Sequence, residues 1–75
     1  MKPPKFVKFN NGSALRLIDD EYYRDAGDWS TKYIFEDGVL LSWFDDLPHL
    51  HLQPLTEITE QEWRDDNGEY APKYP

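Results

Sequence analysis

The two histidines of the chain, His49 and His51, lie two residues apart in the segment FDDLPHLHLQPL. On a β-strand, residues i and i+2 point to the same face about 6.6 Å apart, so the two imidazoles could chelate one metal ion. The nearest further ligands, Asp45 and Asp46, would need a chain reversal to reach that ion. We therefore predict no metal and no cofactor, and we keep a histidine-based metal site or pH response as a minor alternative.

Catalytic chemistry finds little support in the residue types. The chain has no cysteine, its four glycines are isolated, and its serines lie in no nucleophile motif. It has 15 acidic residues, which is enough to place carboxylates side by side without any catalytic purpose. We therefore predict that the protein is not an enzyme.

Charge is distributed unevenly along the 75 residues, whose net charge is −7. Residues 1–16 contain four basic and no acidic residues, whereas the rest of the chain contains four basic and 15 acidic residues. This acidity disfavours direct nucleic-acid binding and favours a basic protein partner. The sequence shows no apolar leader and no apolar run of about 20 residues, so we expect a cytoplasmic protein without a membrane segment.

Two hairpins are predicted. The first joins strands at 5–9 and 14–18 through a three-residue loop that ends at Gly12, and it pairs Val7 with Leu15. Its inward residues are then Val7, Phe9, Leu15 and Leu17, and its outward residues are Phe6, Lys8, Ala14 and Arg16. The second joins 31–36 to 39–44 through a type I′ turn at Asp37-Gly38. Both faces of the second hairpin are substantially apolar, which favours a curled barrel or a face kept for a partner.

The remaining segments are predicted from turn and capping signals. Residues 19–30 are predicted to form a connecting loop, and residues 49–53 to form a short edge strand bounded by prolines. Thr59 and Glu62 have the spacing of a capping box, and Ile58 and Trp63 that of a hydrophobic staple, so a short helix follows. We expect this helix to stop within residues 65–68.

Together these elements predict a mainly β domain of the β-rich α+β type. It is a small curled antiparallel sheet, or an open SH3-like or OB-like barrel, of about five strands with one short C-terminal helix. Residues 1–69 form the single domain, and residues 70–75 form an extended tail.

The predicted function is binding of a protein, with an inhibitory or regulatory role of the kind seen in phage and mobile-element proteins, and with acidic groups in place of nucleic-acid phosphates. Aromatic side chains among charges are typical of interface hot spots. The predicted partner-binding residues are Asp19, Asp20, Glu21, Tyr22, Tyr23, Asp25, Asp28, Trp29, Ile34, Trp43, Asp45 and Asp46. The alternative is a structural module that forms a homodimer through an apolar sheet face.

Overall fold

The computed structural model describes residues 2–9, 12–25, 29–43 and 53–68. These residues form six strands and one helix. In chain order they are β1 (Phe6–Lys8), β2 (Ala14–Ile18), β3 (Glu21–Arg24), β4 (Trp29–Glu36), β5 (Val39–Trp43), β6 (Thr56–Glu57) and α1 (Glu60–Asn67). The predicted mainly β fold with one short C-terminal helix is confirmed.

The strands form one antiparallel sheet in the order β5-β4-β3-β2-β1-β6. The segment at 53–57 nearly closes this sheet into a barrel, because it bonds to β5 at one end of the sheet and to β1 near the other. Its first part bonds to β5, where the Ser42 N–H donates to the Gln53 carbonyl at 2.8 Å and the Leu55 N–H donates to the Leu40 carbonyl at 2.9 Å. Its second part, β6, pairs with β1.

The predicted register of the first hairpin is confirmed. Val7 lies opposite Leu15, and the Phe9 N–H donates to the Ser13 carbonyl at 3.0 Å. Gly12 has a φ of 91°, the left-handed value that the three-residue loop requires. Val7, Phe9 and Leu15 are buried in the barrel interior, as their inward positions predict.

The second hairpin also has the predicted register, with Glu36 opposite Val39 and Lys32 opposite Trp43. Asp37 and Gly38 both have positive φ, at 52° and 80°, as a type I′ turn requires. On this hairpin Leu40 and Ser42 point into the barrel and are buried, whereas Val39 is 49% exposed.

The prediction of a loop over residues 19–30 is wrong, because this part of the chain contains β3 and the start of β4. Tyr22 lies at the centre of β3 and is fully buried. Its hydroxyl donates to the Pro4 carbonyl at 2.6 Å, and its ring meets that of Tyr33 edge-on with centroids 5.3 Å apart. A single aromatic side chain therefore anchors a strand whose flanking residues are mostly charged.

The helix begins and ends as predicted. Thr59 accepts a hydrogen bond from the Glu62 N–H, Glu62 accepts one from the Thr59 N–H, and Gly68 is the C-cap. Its Trp63 is 1% exposed and packs on Phe6, with ring centroids 5.2 Å apart. The helix thus covers the outward face of β1 and β2.

This covering corrects the expectation for the outward residues of the first hairpin. Ala14 and Arg16 point away from the barrel interior, but both are buried because α1 lies over them. The Ala14 N–H also donates to an Asp66 carboxylate oxygen at 3.2 Å. Both faces of the sheet are therefore covered at β1 and β2.

Parts of the prediction fall on residues that the structure does not describe. They are most of the predicted edge strand at 49–53, both histidines, and the tail at 70–75. Within the described part of the chain, Pro54 forms an isolated bridge with Leu41. Among those same residues, no helix is long and apolar enough to cross a membrane.

Candidate partner-binding surface

The turn between β2 and β3 forms an acidic corner of the molecule. Asp19 and Asp20 are exposed and Glu21 is half-buried, and Ile18 pairs directly with Glu21. The turn is therefore only two residues long, and Asp19 adopts a positive φ of 56°, which Asp and Asn tolerate better than most residues. We call Asp19, Asp20 and Glu21 the acidic turn.

Tyr23 lies next to the acidic turn on the outward side of β3. Its hydroxyl donates to a carboxylate oxygen of Glu21 at 3.3 Å. Desolvation raises the pKa of Tyr23 above its ordinary value, and the negative charges of Glu21 and Asp19 raise it further. The phenol therefore stays neutral and serves as a hydrogen-bond donor beside the carboxylates.

A groove of about 650 Å³ opens beside the acidic turn. Its lining residues are Asp19, Asp20, Glu21, Lys32 and Tyr33. Tyr33 is only partly buried, and one part of it lines this groove. This groove could not be predicted from the sequence, because it depends on where β3 ends relative to β4.

The outward face of the second hairpin meets the acidic turn at Lys32, which lines the same groove. Alternation along β4 and β5 places Ile34, Leu41 and Trp43 on this face, where Ile34 pairs with Leu41 and Trp43 pairs with Lys32. All three are half-buried. Because α1 covers β1 and β2, no helix of the described residues lies over this part of the sheet. We call Ile34, Leu41 and Trp43 the outer strip.

Two of the predicted partner-binding residues belong to the interior. Tyr22 is fully buried, and Asp25 is 1% exposed. Asp25 forms an ion pair with Arg16, which was predicted to point outward. Tyr22 and Asp25 therefore support the candidate surface from inside and cannot touch a partner in this conformation.

The other predicted residues divide into three groups. Trp29 packs on Phe9 of the barrel interior, with ring centroids 5.7 Å apart, and is partly buried. The acidic turn, Tyr23, Ile34 and Trp43 share one side of the molecule, as described above. Asp28, Asp45 and Asp46 lie outside the described residues.

Metal ligands do not come together in the part of the chain that the structure describes. No group of three or more His, Asp or Glu side chains there is arranged to hold an ion. His49 and His51 lie outside that part.

Comparison of the chain with protein-family models, with curated proteins and with solved structures finds no match.

Proposed function

We propose that this protein is a non-catalytic binding module for a basic protein partner. The observation that carries the proposal is that the acidic turn lines one groove with Lys32, which pairs with Trp43 of the outer strip, whereas α1 packs on β1 and β2. Carboxylates at the rim attract a basic surface and orient it, while half-buried aromatic and aliphatic side chains supply apolar area to bury.

The finer form of the proposal concerns what the partner does. Proteins that bind nucleic acids present basic surfaces to phosphates, and a chain with a net charge of −7 competes for such surfaces. An inhibitor or regulator of a nucleic-acid-binding protein is the role that best fits this charge. In that role the carboxylates of Asp19, Asp20 and Glu21 stand in for phosphate groups.

The test compares two variants with the same change of charge. One neutralises the acidic turn by Asp19→Asn, Asp20→Asn and Glu21→Gln, and Asn at position 19 keeps a side chain that accepts positive φ. The control neutralises three exposed acids of the helix by Glu60→Gln, Glu62→Gln and Asp65→Asn. Gln at position 62 retains the capping box.

Wild type and both variants are immobilised and used to capture proteins from cells of the native host at two salt concentrations. We expect a basic protein that is captured by the wild type and by the helix variant but is depleted at least about tenfold by the turn variant, with weaker capture at high salt. Equal capture by the turn variant, or enrichment of acidic partners only, would overturn the proposal.

The outer strip also supports a second candidate, a structural module that self-associates. Val39 is 49% exposed beside these half-buried residues, and apolar sheet faces of this kind are covered in homodimers. Sedimentation of the isolated protein separates the two candidates. A dimer that Trp43→Ser and Ile34→Ser convert to a monomer favours self-association, whereas a monomer at all concentrations favours the basic partner.

A further inference from the structure

Strand β4 extends well past its neighbour β3. It runs from Trp29 to Glu36, whereas β3 contains only four residues. The ladder between the two strands ends at the pair Tyr22 and Thr31, because the chain turns away at the acidic turn. Beyond Thr31, β4 pairs only with β5.

The register of the hairpin of β4 and β5 determines which way the backbone N–H and C=O groups of residues 33–36 point. A two-residue loop makes its flanking residues, Glu36 and Val39, a hydrogen-bonded pair. The direction alternates along an antiparallel strand, so Ile34 and Glu36 bond to β5. Tyr33 and Phe35 must then direct their N–H and C=O groups away from β5. We call the backbone of residues 33–36 on this side the open edge.

Within the described residues, nothing pairs with the open edge. No backbone hydrogen bond reaches Tyr33 or Phe35 from another loop or strand of that part of the chain. The opposite side of the same hairpin is closed, since Gln53 and Leu55 bond to β5 there. Unpaired strand edges are templates for an added strand, and folded proteins usually protect them.

Space lies beside the open edge. The groove lined by Tyr33 and the acidic turn has a volume of about 650 Å³. A second groove, of about 490 Å³, is lined by Phe35 and continues over Val39 and the end of the barrel. Residues 33–36 can pair with an extended segment of about four residues, which is roughly 13 Å long.

Carboxylates lie at both ends of the open edge. The acidic turn lies where β3 stops, and Glu36 and Asp37 lie at the tip of the hairpin, where both are exposed. Two cations also lie beside the open edge: Lys32 lines the first groove, and Lys2 lines the second, where Glu57 lies as well. The charge around the edge is therefore predominantly negative and complements a basic chain.

We propose that a basic partner binds by adding an extended segment to the open edge as a further β-strand. This inference rests on the proposed function, and it specifies that the partner presents its basic residues on an extended segment. Backbone groups of Tyr33 and Phe35 supply the pairing, and the carboxylates at each end select the side chains.

The alternation of the sheet predicts the pattern of the bound segment. Side chains on the inward side of the added strand lie next to Tyr33 and Phe35, which are partly buried and aromatic. Those on the outward side lie next to Ile34 and Glu36. The segment should therefore alternate apolar and basic residues.

Charge disfavours a second copy of the chain as the occupant. Edge-to-edge pairing of two open edges would bring together two sets of the same carboxylates, from the acidic turn, Glu36 and Asp37. Like charges across a strand pair are destabilising. A basic segment from another protein meets no such repulsion.

The experiment uses the full chain and displayed random eight-residue peptides as the probe. The selected peptide is synthesised beside a scrambled control of the same composition, and amide hydrogen exchange is followed by NMR. With the selected peptide at ten times its Kd, we expect the amides of Tyr33 and Phe35 to exchange about tenfold more slowly. Those of Ile34 and Glu36, already bonded to β5, should change least and serve as internal controls.

The outcomes separate this inference from the proposed function. Protection of Tyr33 and Phe35 by an alternating basic peptide, lost in the turn variant and kept in the helix variant, supports both. Binding that depends on the acidic turn but leaves the exchange of these two amides unchanged overturns the edge pairing alone. Two results would overturn the claim that a basic segment occupies the open edge. One is the selection of peptides without basic residues, and the other is protection of both amides in a self-associated protein without peptide.

A variant provides a second measurement. Phe35→Pro removes the N–H that Phe35 directs away from β5 and leaves the hydrogen bonds to β5 in place. We expect this variant to bind the selected peptide at least about tenfold more weakly. If this variant does not fold, the exchange measurement on the wild type still decides. Unchanged affinity in a folded Phe35→Pro variant would overturn the proposal.

Discussion

The guanidinium Nε of Arg16 lies 3.2 Å from a carboxylate oxygen of Asp25, and the two side chains are only 10% and 0% exposed. The Arg16 guanidinium also lies over the ring of Trp63, 5.0 Å from its centroid. One buried cation therefore connects β2, the residue after β3, and α1. Since β3 carries the acidic turn at its other end, this ion pair holds the element that positions the candidate surface.

Removing one partner of the pair should be strongly destabilising. Asp25→Ala leaves the Arg16 charge buried without its carboxylate, and we expect a loss of about 3 to 5 kcal/mol in the free energy of unfolding. Urea unfolding followed by Trp fluorescence measures it. The control is Glu60→Gln, which disrupts the exposed pair between Arg64 and Glu60 and should cost about 0.5 kcal/mol or less. Equal effects of the two substitutions would contradict a structural role for the buried pair.

The helix cap gives a prediction of intermediate size. The Glu62 N–H donates to the Thr59 hydroxyl at 3.1 Å, and the Thr59 N–H donates to a Glu62 carboxylate oxygen at 3.2 Å. Thr59→Ala should lower the free energy of unfolding by about 1 kcal/mol. Glu62→Gln keeps an acceptor at the same place and should be nearly neutral. Thermal unfolding of both variants checks the order, and a larger loss for Glu62→Gln would contradict it.

Both hairpins could be predicted from the sequence because each turn has its own chemical signal. Gly12 and the pair Asp37-Gly38 allow positive φ, and the hydrophobic pattern then leaves one register that buries the apolar residues. The helix was predictable for the same reason, since a capping box and a staple are local features.

Strand β3 was missed because its signal is not local. It has four residues, its flanks are acidic, and its place in the sheet depends on Tyr22 donating a hydrogen bond to Pro4 and packing on Tyr33 of the neighbouring strand. The burial of Arg16 was missed for a related reason: alternation shows that it points outward but not that α1 lies on that side. The open edge depends on the lengths of β3 and β4 together, so a sequence pattern that does not show β3 cannot predict it.

The turn of the second hairpin controls the element that carries both the outer strip and the open edge. Gly38 has a φ of 80°, and a Cβ built at this position would have no atom within 4 Å. Gly38→Ala should therefore cost about 1 kcal/mol in the free energy of unfolding, through backbone strain alone. Asp37→Asn keeps the type I′ preference and should change little. Urea unfolding compares the two, and a neutral Gly38→Ala would show that the turn tolerates another geometry.

The free energy of unfolding should fall at alkaline pH because Tyr22 ionises more readily in the unfolded chain than in the folded one. Burial raises the pKa of Tyr22 above its ordinary value, and the charges of Tyr33 and Glu57 raise it further. The unfolded chain loses this proton near pH 10, whereas the folded chain retains it. The neutral phenol therefore contributes its full stability below pH 10, and this contribution is lost as the pH rises above that value, by up to about 1.4 kcal/mol per pH unit.

Tyr22→Phe tests this assignment. At pH 7 it should cost about 1 kcal/mol, because the Pro4 carbonyl loses its donor. Between pH 9 and 11 its stability should fall less steeply than that of the wild type, since no phenol at position 22 remains to ionise. Tyr23→Phe, at a more accessible position, is the control. It should reduce the loss of unfolding free energy at alkaline pH by less than Tyr22→Phe does. Urea unfolding at a series of pH values measures all three proteins, and parallel pH profiles for wild type and Tyr22→Phe would rule out Tyr22 as the source.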